Sequence, residues 1–232
     1  MVTFETVNEL TLKVTCSGTD EIYTKAGAFV GGENAGPKNY KFDKVLLGPQ
    51  NNLGQALMGH LARRVTGENL PLMKVSMNGD STTYYASAGN HVVVYHLQKG
   101  ESISIESENI LAFSSDCDYS VRFIGVGVLS QKGLATTSLT AKGDHAYVAI
   151  LSNGNPIVLS NMQSGNTLSV DPDAVICWIG NYDPTIQADV SWKTFIGQSS
   201  GESYQFEWHG NSPVTVIVQP TERGGGINVA MD

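Results

Sequence analysis

"QKGESISIESENILAF" runs from Gln98 to Phe113, and "QSGNTLSVDPDAVICW" runs from Gln163 to Trp178. With Gly100 set on Gly165, 65 residues further on, Gln98 falls on Gln163, Ser104 on Ser169 and Phe113 on Trp178. Asp118 falls on Asp183 at the same offset. The likeness continues downstream. "KGLATTSLTAKGDHAYVAIL" (Lys132–Leu151) parallels "SGESYQFEWHGNSPVTVIV" (Ser200–Val218). Each has a glycine, an alternating run, a Gly-Asp or Gly-Asn turn and a second apolar run. Such turns between alternating runs read as hairpins, because Gly and Asn accept positive φ.

A more diverged copy opens the chain. "CSGTDEIYTKAGAFVG" (Cys16–Gly31) fills the slot of the two quoted stretches, and "TGENLPLMKVSMNGDSTTYYAS" (Thr66–Ser87) fills that of the two hairpins. The chain therefore reads as three related units, 1–86, 87–151 and 152–220, with a Gly-rich tail over 221–232. A unit of about 65 residues buries little surface alone, so the three are expected to pack as one body.

Within a unit the period is two. Ile103 and Ile105 are expected on one face of a strand and Ser102, Ser104 and Glu106 on the other. Short strands punctuated by turns are the pattern of antiparallel sandwiches and barrels. One segment departs from it. In "NNLGQALMGHLARRVTGE" (Asn51–Glu68), Leu53, Leu57, Leu61 and Val65 recur at steps of four, which predicts a short amphipathic helix inserted in the first unit. "GGENAGPKNYKFDK" (Gly31–Lys44), just before it, reads as an exposed loop.

Composition narrows the function classes. Of 232 residues 41% are hydrophobic, enough for a core, and 14 Lys and Arg against 22 Asp and Glu leave a formal charge of −8. That balance disfavours binding to phosphate backbones or anionic lipid. The three cysteines, Cys16, Cys117 and Cys177, lie far apart without CxxC spacing, which argues against a disulfide framework or zinc site. No run of apolar residues is long enough for a membrane span or a signal peptide core. A cytoplasmic, reducing location is the expectation.

"YTKAGAFVGG", "LGQALMGHLARRVTGENL", "KGESISIESENILAF", "TFIGQSSGESYQFEWHG" and the closing "ERGGG" together resemble the bacterial and archaeal relatives of a fungal family named for altered inheritance of mitochondria, a mitochondrial biogenesis family. The resemblance covers nearly the whole chain and rests on glycine placement. It implies a repeated β-sandwich similar to the tryptophan RNA-binding attenuation protein (TRAP-like) and related to the double-stranded β-helix. It also implies a homo-oligomer, with a trimer as the expected form. It brings no active-site residue to carry over.

Candidate chemistry is sparse. The alternative reading is a cupin-like metal-dependent or small-molecule-binding enzyme, for which "GNHVVVYHLQKGE" offers His91, His96 and Glu101 as metal ligands. Cupin-like sites need histidines an even step apart on one strand. His91 and His96 are five apart and belong on opposite faces unless a bulge intervenes. Cys177, in the apolar "AVICWIG", reads as a core thiol. Asp118 and Asp183 read as turn residues. RNA binding by fold analogy ranks third, since only Arg63 and Arg64 form a basic doublet. The first expectation is a non-enzymatic scaffold or protein-interaction module that binds copies of itself and takes no cofactor, metal, nucleic acid or membrane. Its candidate contacts are Leu53, Leu57, Leu61, Leu129 and Phe195, all in the slot before the second hairpin of their units, with packing inside the protomer as the bland reading.

Overall fold

The computed structural model of the chain describes residues 1–34, 36–45, 72–124, 135–162, 165–187 and 205–221. Apart from one 3-10 turn at Ser107–Asn109, the regular elements there are strands. The first unit holds β1 (Val2–Thr6), β2 (Leu12–Cys16), β3 (Thr19–Lys25), β4 (Phe29–Asn34), β5 (Tyr40–Val45), β6 (Leu72–Asn78) and β7 (Ser81–Tyr85). The second holds β8 (His91–Leu97), β9 (Ser102–Ile105), β10 (Ile110–Ser114), β11 (Cys117–Phe123), β12 (Ala135–Ala141) and β13 (Ala146–Ser152). The third holds β14 (Ile157–Ser160), β15 (Leu168–Val170), β16 (Val175–Ile179), β17 (Thr185–Gln187), β18 (Gln205–Trp208) and β19 (Thr215–Val218). The helix expected within 51–68 and the tail from 222 onwards lie outside the described residues. The segment expected as an exposed loop, 31–44, instead contributes to β4 and β5.

The strands form four antiparallel sheets, in the orders β1-β2-β7-β4, β5-β6-β3-β10-β13-β8, β11-β12-β9-β16-β19-β14 and β15-β18-β17. Apart from β1, one six-strand plan occurs three times. The first, third and sixth strands of a plan make one half-sheet: β4-β7-β2, β10-β13-β8 and β16-β19-β14. The second, fourth and fifth make the facing half: β5-β6-β3, β11-β12-β9 and β17-β18-β15. Neighbouring plans then join edge to edge. β3 pairs with β10, Thr24 opposite Ala112, and β9 pairs with β16, Ile105 opposite Cys177.

Local chemistry recurs with the plan. The turn after the first strand carries Gly18, Gly100 or Gly165, at φ +85°, +85° and +63°. A Cβ there would meet the following carbonyl, which is why the chain writes glycine at each. The third strand is bulged against the sixth in every plan, between Phe29 and Gly31, between Ile110 and Ala112, and between Val175 and Cys177. The extra residue at each bulge is Val30, Leu111 or Ile176.

Three apolar clusters fill the spaces between the four sheets. Leu12, Val14, Ile22, Val75 and Tyr85 anchor the first. Ile103, Ile105, Phe113, Leu139 and Ile150 anchor the second. Trp178, Phe206, Trp208 and Val216 anchor the third. Each fully buried aliphatic or aromatic side chain contributes about 1.5–3 kcal/mol, so the clusters dominate the favourable side of folding. The bulge residues stitch the clusters together. Leu111 and Ala112 belong to the second plan but pack in the first cluster, with Ile22 and Val75. Ile176 and Cys177 belong to the third plan but pack in the second cluster, with Ile105 and Leu139.

Two further expectations need correction. The apparent hairpins are not hairpins: β12 pairs with β11 and β9, whereas β13 pairs with β10 and β8 in another sheet. The same holds for β18 and β19 and for β6 and β7. The turn residues specify a reversal. The pairing afterwards follows from burial on both faces, and in β13 every residue but Tyr147 is buried. Ser104, on the face opposite Ile103 and Ile105, is buried as they are because β9 lies mid-sheet, and it accepts a hydrogen bond from Arg122 Nη2. Asp118, expected in a turn, is a strand residue opposite Thr140 and pairs with Lys142 Nζ at 3.5 Å; Asp183 does lie in the connection between β16 and β17, and pairs with Arg122 at 3.1 Å across the joint between units.

Candidate functional site

Because each plan donates one half-sheet to the next, the series has two ends. Inside the chain, the edge of β10 is taken by β3 and the edge of β16 by β9. β4 holds the same place in the first plan. Among the described residues it pairs only with β7, so its outer edge is open. At the other end, β15 is the counterpart of β3 and β9 and pairs only with β18.

Side-chain exposure tracks this difference. Leu111 and Ile176 are each 0% exposed, whereas Val30 is 63% exposed. Tyr84 lies opposite Gly31 in a position where Ala149 and Ile217 are fully buried, yet it is only half-buried. Phe29, also exposed, turns towards its own unit, with its ring 4.9 Å from Phe42, 5.7 Å from Tyr40 and 5.9 Å from Tyr85. Lys38 Nζ stands 4.9 Å over the Tyr40 ring. Gly32 lets that ring approach, since a Cβ there would lie 2.6 Å from Tyr40 Oη. Tyr40 thus fills the space that Phe113 and Trp178 fill in the other two units.

A second apolar edge is β14. It ends its sheet, with Ile157 and Val158 exposed and Met162 just beyond. The matching strand β8 carries Val92 and Val94, which pack in the first cluster under β1. Among the described residues no strand matches β1 there, and Val158 is 60% exposed.

Of the candidates read from the sequence, Leu53, Leu57, Leu61, Leu129 and Phe195 all lie outside the described residues. His91, His96 and Glu101 are placed. β8 runs without a bulge against β13, so His91 shares a face with Val93 and Tyr95, and His96 shares the opposite face with Val94. His96 Nε2 is 2.6 Å from the Asp144 carbonyl and its ring stacks on Tyr147 at 4.5 Å. Glu101 Oε2 accepts the Gln98 N–H at 2.9 Å. Among the described residues, no three His, Cys, Asp or Glu side chains gather closely enough to hold a metal. His91 borders an open depression of about 320 Å³ with Thr6, Glu9 and Asn155. A second depression, about 500 Å³, lies beside Cys16, Glu33 and Asp80.

The three cysteines are buried and unpaired. Burial pushes the Cys117 thiol up to about 12 and raises Cys16 and Cys177 above the usual thiol range. Each is held as the protonated thiol at neutral pH, the weak form for nucleophilic attack. Among the described residues no helix is long and apolar enough to cross a membrane.

Sequence reasoning missed Val30, Ile157 and Val158. "AFVGG" and "PIVLS" look like any other apolar strand, and their exposure depends on which neighbour each edge has.

A family model described as mitochondrial biogenesis AIM24 matches residues 4–221. A crystal structure of a protein from Streptococcus pyogenes is similar in fold, with a TM-score of 0.68 at 17% identity, over 96% of this chain and 94% of that one. No curated protein matches.

Proposed function

The chain belongs to the mitochondrial biogenesis AIM24 family, and we propose that it is a non-enzymatic scaffold that assembles with copies of itself. The observation that carries this reading is the pair of open sheet edges bearing solvent-facing valine and isoleucine: Val30 on β4, and Ile157 and Val158 on β14. Unpaired apolar edges are templates for association, and a chain that stayed alone would blunt them with charge or cover them. A trimer in the cytoplasm is the specific form of the proposal, and the buried, unbridged thiols support a reducing compartment.

Light scattering at micromolar concentration tests the reading. The expected mass is a multiple of 24.8 kDa, three-fold for the trimer. A monodisperse monomer overturns it. Stoichiometric iron, zinc or manganese in the purified, folded protein would instead turn the reading towards a metal-dependent enzyme.

A further inference from the structure

We infer that copies of this chain join head to tail by strand addition: β15 of one copy pairs antiparallel with β4 of the next, repeating between chains the joint that occurs twice within one. The inference rests on the self-assembly reading above and specifies its interface. Three observations carry it.

The first is topological. The second strand of one plan pairs with the third strand of the next at β3·β10 and again at β9·β16. β15 and β4 are the remaining second and third strands, and both have open edges among the described residues. Carrying the two internal registers over places Val170 opposite Gly31, Ser169 opposite Gly32 and Leu168 opposite Glu33.

The second is the bulge residue. Leu111 and Ile176 each reach into the cluster of the preceding plan and are fully buried there. Val30 occupies the same bulge with no preceding plan among the described residues, and most of its surface meets solvent. A joint in the same register would set it against the last plan of a neighbouring copy. There Leu168 is still only partly buried, beside Val170 and Trp208.

The third is what the rival edge carries. β14 is more apolar, but Pro156 stands immediately before it, a residue without an N–H to donate. Neither Phe29–Asn34 nor Leu168–Val170 contains proline or lysine, and Gly31 and Gly32 leave the β4 edge free of bulky side chains. β14 pairing with itself would be isologous and give a two-fold dimer. β15 on β4 is heterologous, so it closes into a ring or runs on as a filament.

The test uses the full chain. Val30→Asp puts a charge where the joint needs a buried methyl group and is expected to weaken assembly about a hundredfold or more. It leaves the protomer folded, because Val30 is largely exposed within it. Val7→Asp, at a similarly exposed valine on neither of these edges, is the control and leaves assembly unchanged, whereas Val158→Asp probes the rival edge. Glu33→Cys and Leu168→Cys chains, mixed and treated with a short thiol-reactive linker, are expected to cross-link in pairs, while either alone yields no cross-linked dimer. A chain carrying both substitutions gives a ladder ending at the number of copies in the ring. Circular dichroism of each variant checks that it is folded. A wild-type monomer would sink the scaffold reading itself. An oligomer that survives Val30→Asp but dissociates with Val158→Asp, or one that never cross-links between positions 33 and 168, would overturn this joint alone.

Discussion

Leu111 and Val30 occupy the same bulge in two copies of one plan, and both are aliphatic, yet one has no exposed surface and the other has most of its surface in water. The difference lies entirely outside their own units. Leu111 has a preceding plan to enter, and among the described residues Val30 has none. A repeat therefore transmits its joint residues to every copy, including the end copies where the joint has nothing to close on. Apolar side chains left over in this way are a more pointed sign of association than apolar composition, because the internal joints show what partner they fit.

The contrast can be broken first by truncation. Leu111→Ala is expected to cost about 2–5 kcal/mol in urea denaturation, since it empties space in a packed cluster. Val30→Ala, measured on the dissociated protomer, should fall within about 0.5 kcal/mol of wild type. Equal costs would mean that Val30 is buried within its own chain and that the two positions do not differ as described.

A smaller effect sharpens the comparison between the second and third plans. Leu97, the last residue of β8, and Asn161, just past β14, hold matching places, and both are buried. Asn161 Oδ1 accepts the Val214 N–H at 2.9 Å, and its Nδ2 donates to the Ser212 carbonyl at 3.1 Å. Asn161→Ala strands those groups and is expected to lower the denaturation free energy by about 1–3 kcal/mol. No change would show that the side chain does not organise the 209–214 turn.

The smallest effect belongs to the β3–β6 surface, where Lys74 Nζ lies 2.9 Å from Glu21 Oε1. The hydrogen bond from Lys74 holds the Glu21 carboxyl below the usual carboxylate range. With the folded-state value lowered, the stabilisation is present at neutral pH and disappears as the pH falls through that lowered value. Both groups are partly exposed, so Glu21→Gln should cost only about 0.2–1 kcal/mol at pH 7. Below the carboxylate range the variant and wild type should denature together. A difference that persisted in acid would assign the loss to packing or to the Ser76 hydrogen bond.

Much of the architecture was legible because it is written in local chemistry. Gly100 and Gly165 anchored the alignment of the quoted stretches, and both sit at positive φ in equivalent turns, as does Gly18. Alternation located strands in all three units, and "AVICWIG" was legible as a buried strand. The pairing of those strands was not. "AKGDHA" carries the residues of a hairpin turn, but β12 and β13 part into different sheets, because a turn constrains only the few residues it contains. Nor was the open edge legible: nothing in "AFVGG" distinguishes a strand that will be covered from one that will not.

By itself, the sequence determined that this is an all-β chain written from one repeated pattern, since two-residue periodicity and glycine turns are short-range properties that each segment carries with it. Only the tertiary structure decided that each copy splits its strands between two sheets, that neighbouring copies complete one another's sheets, and that β4 and β15 are left over. Edge pairing depends on residues roughly 70–90 positions apart meeting in space, as Thr24 meets Ala112 and Ile105 meets Cys177. No local pattern encodes which copy will find itself at the end.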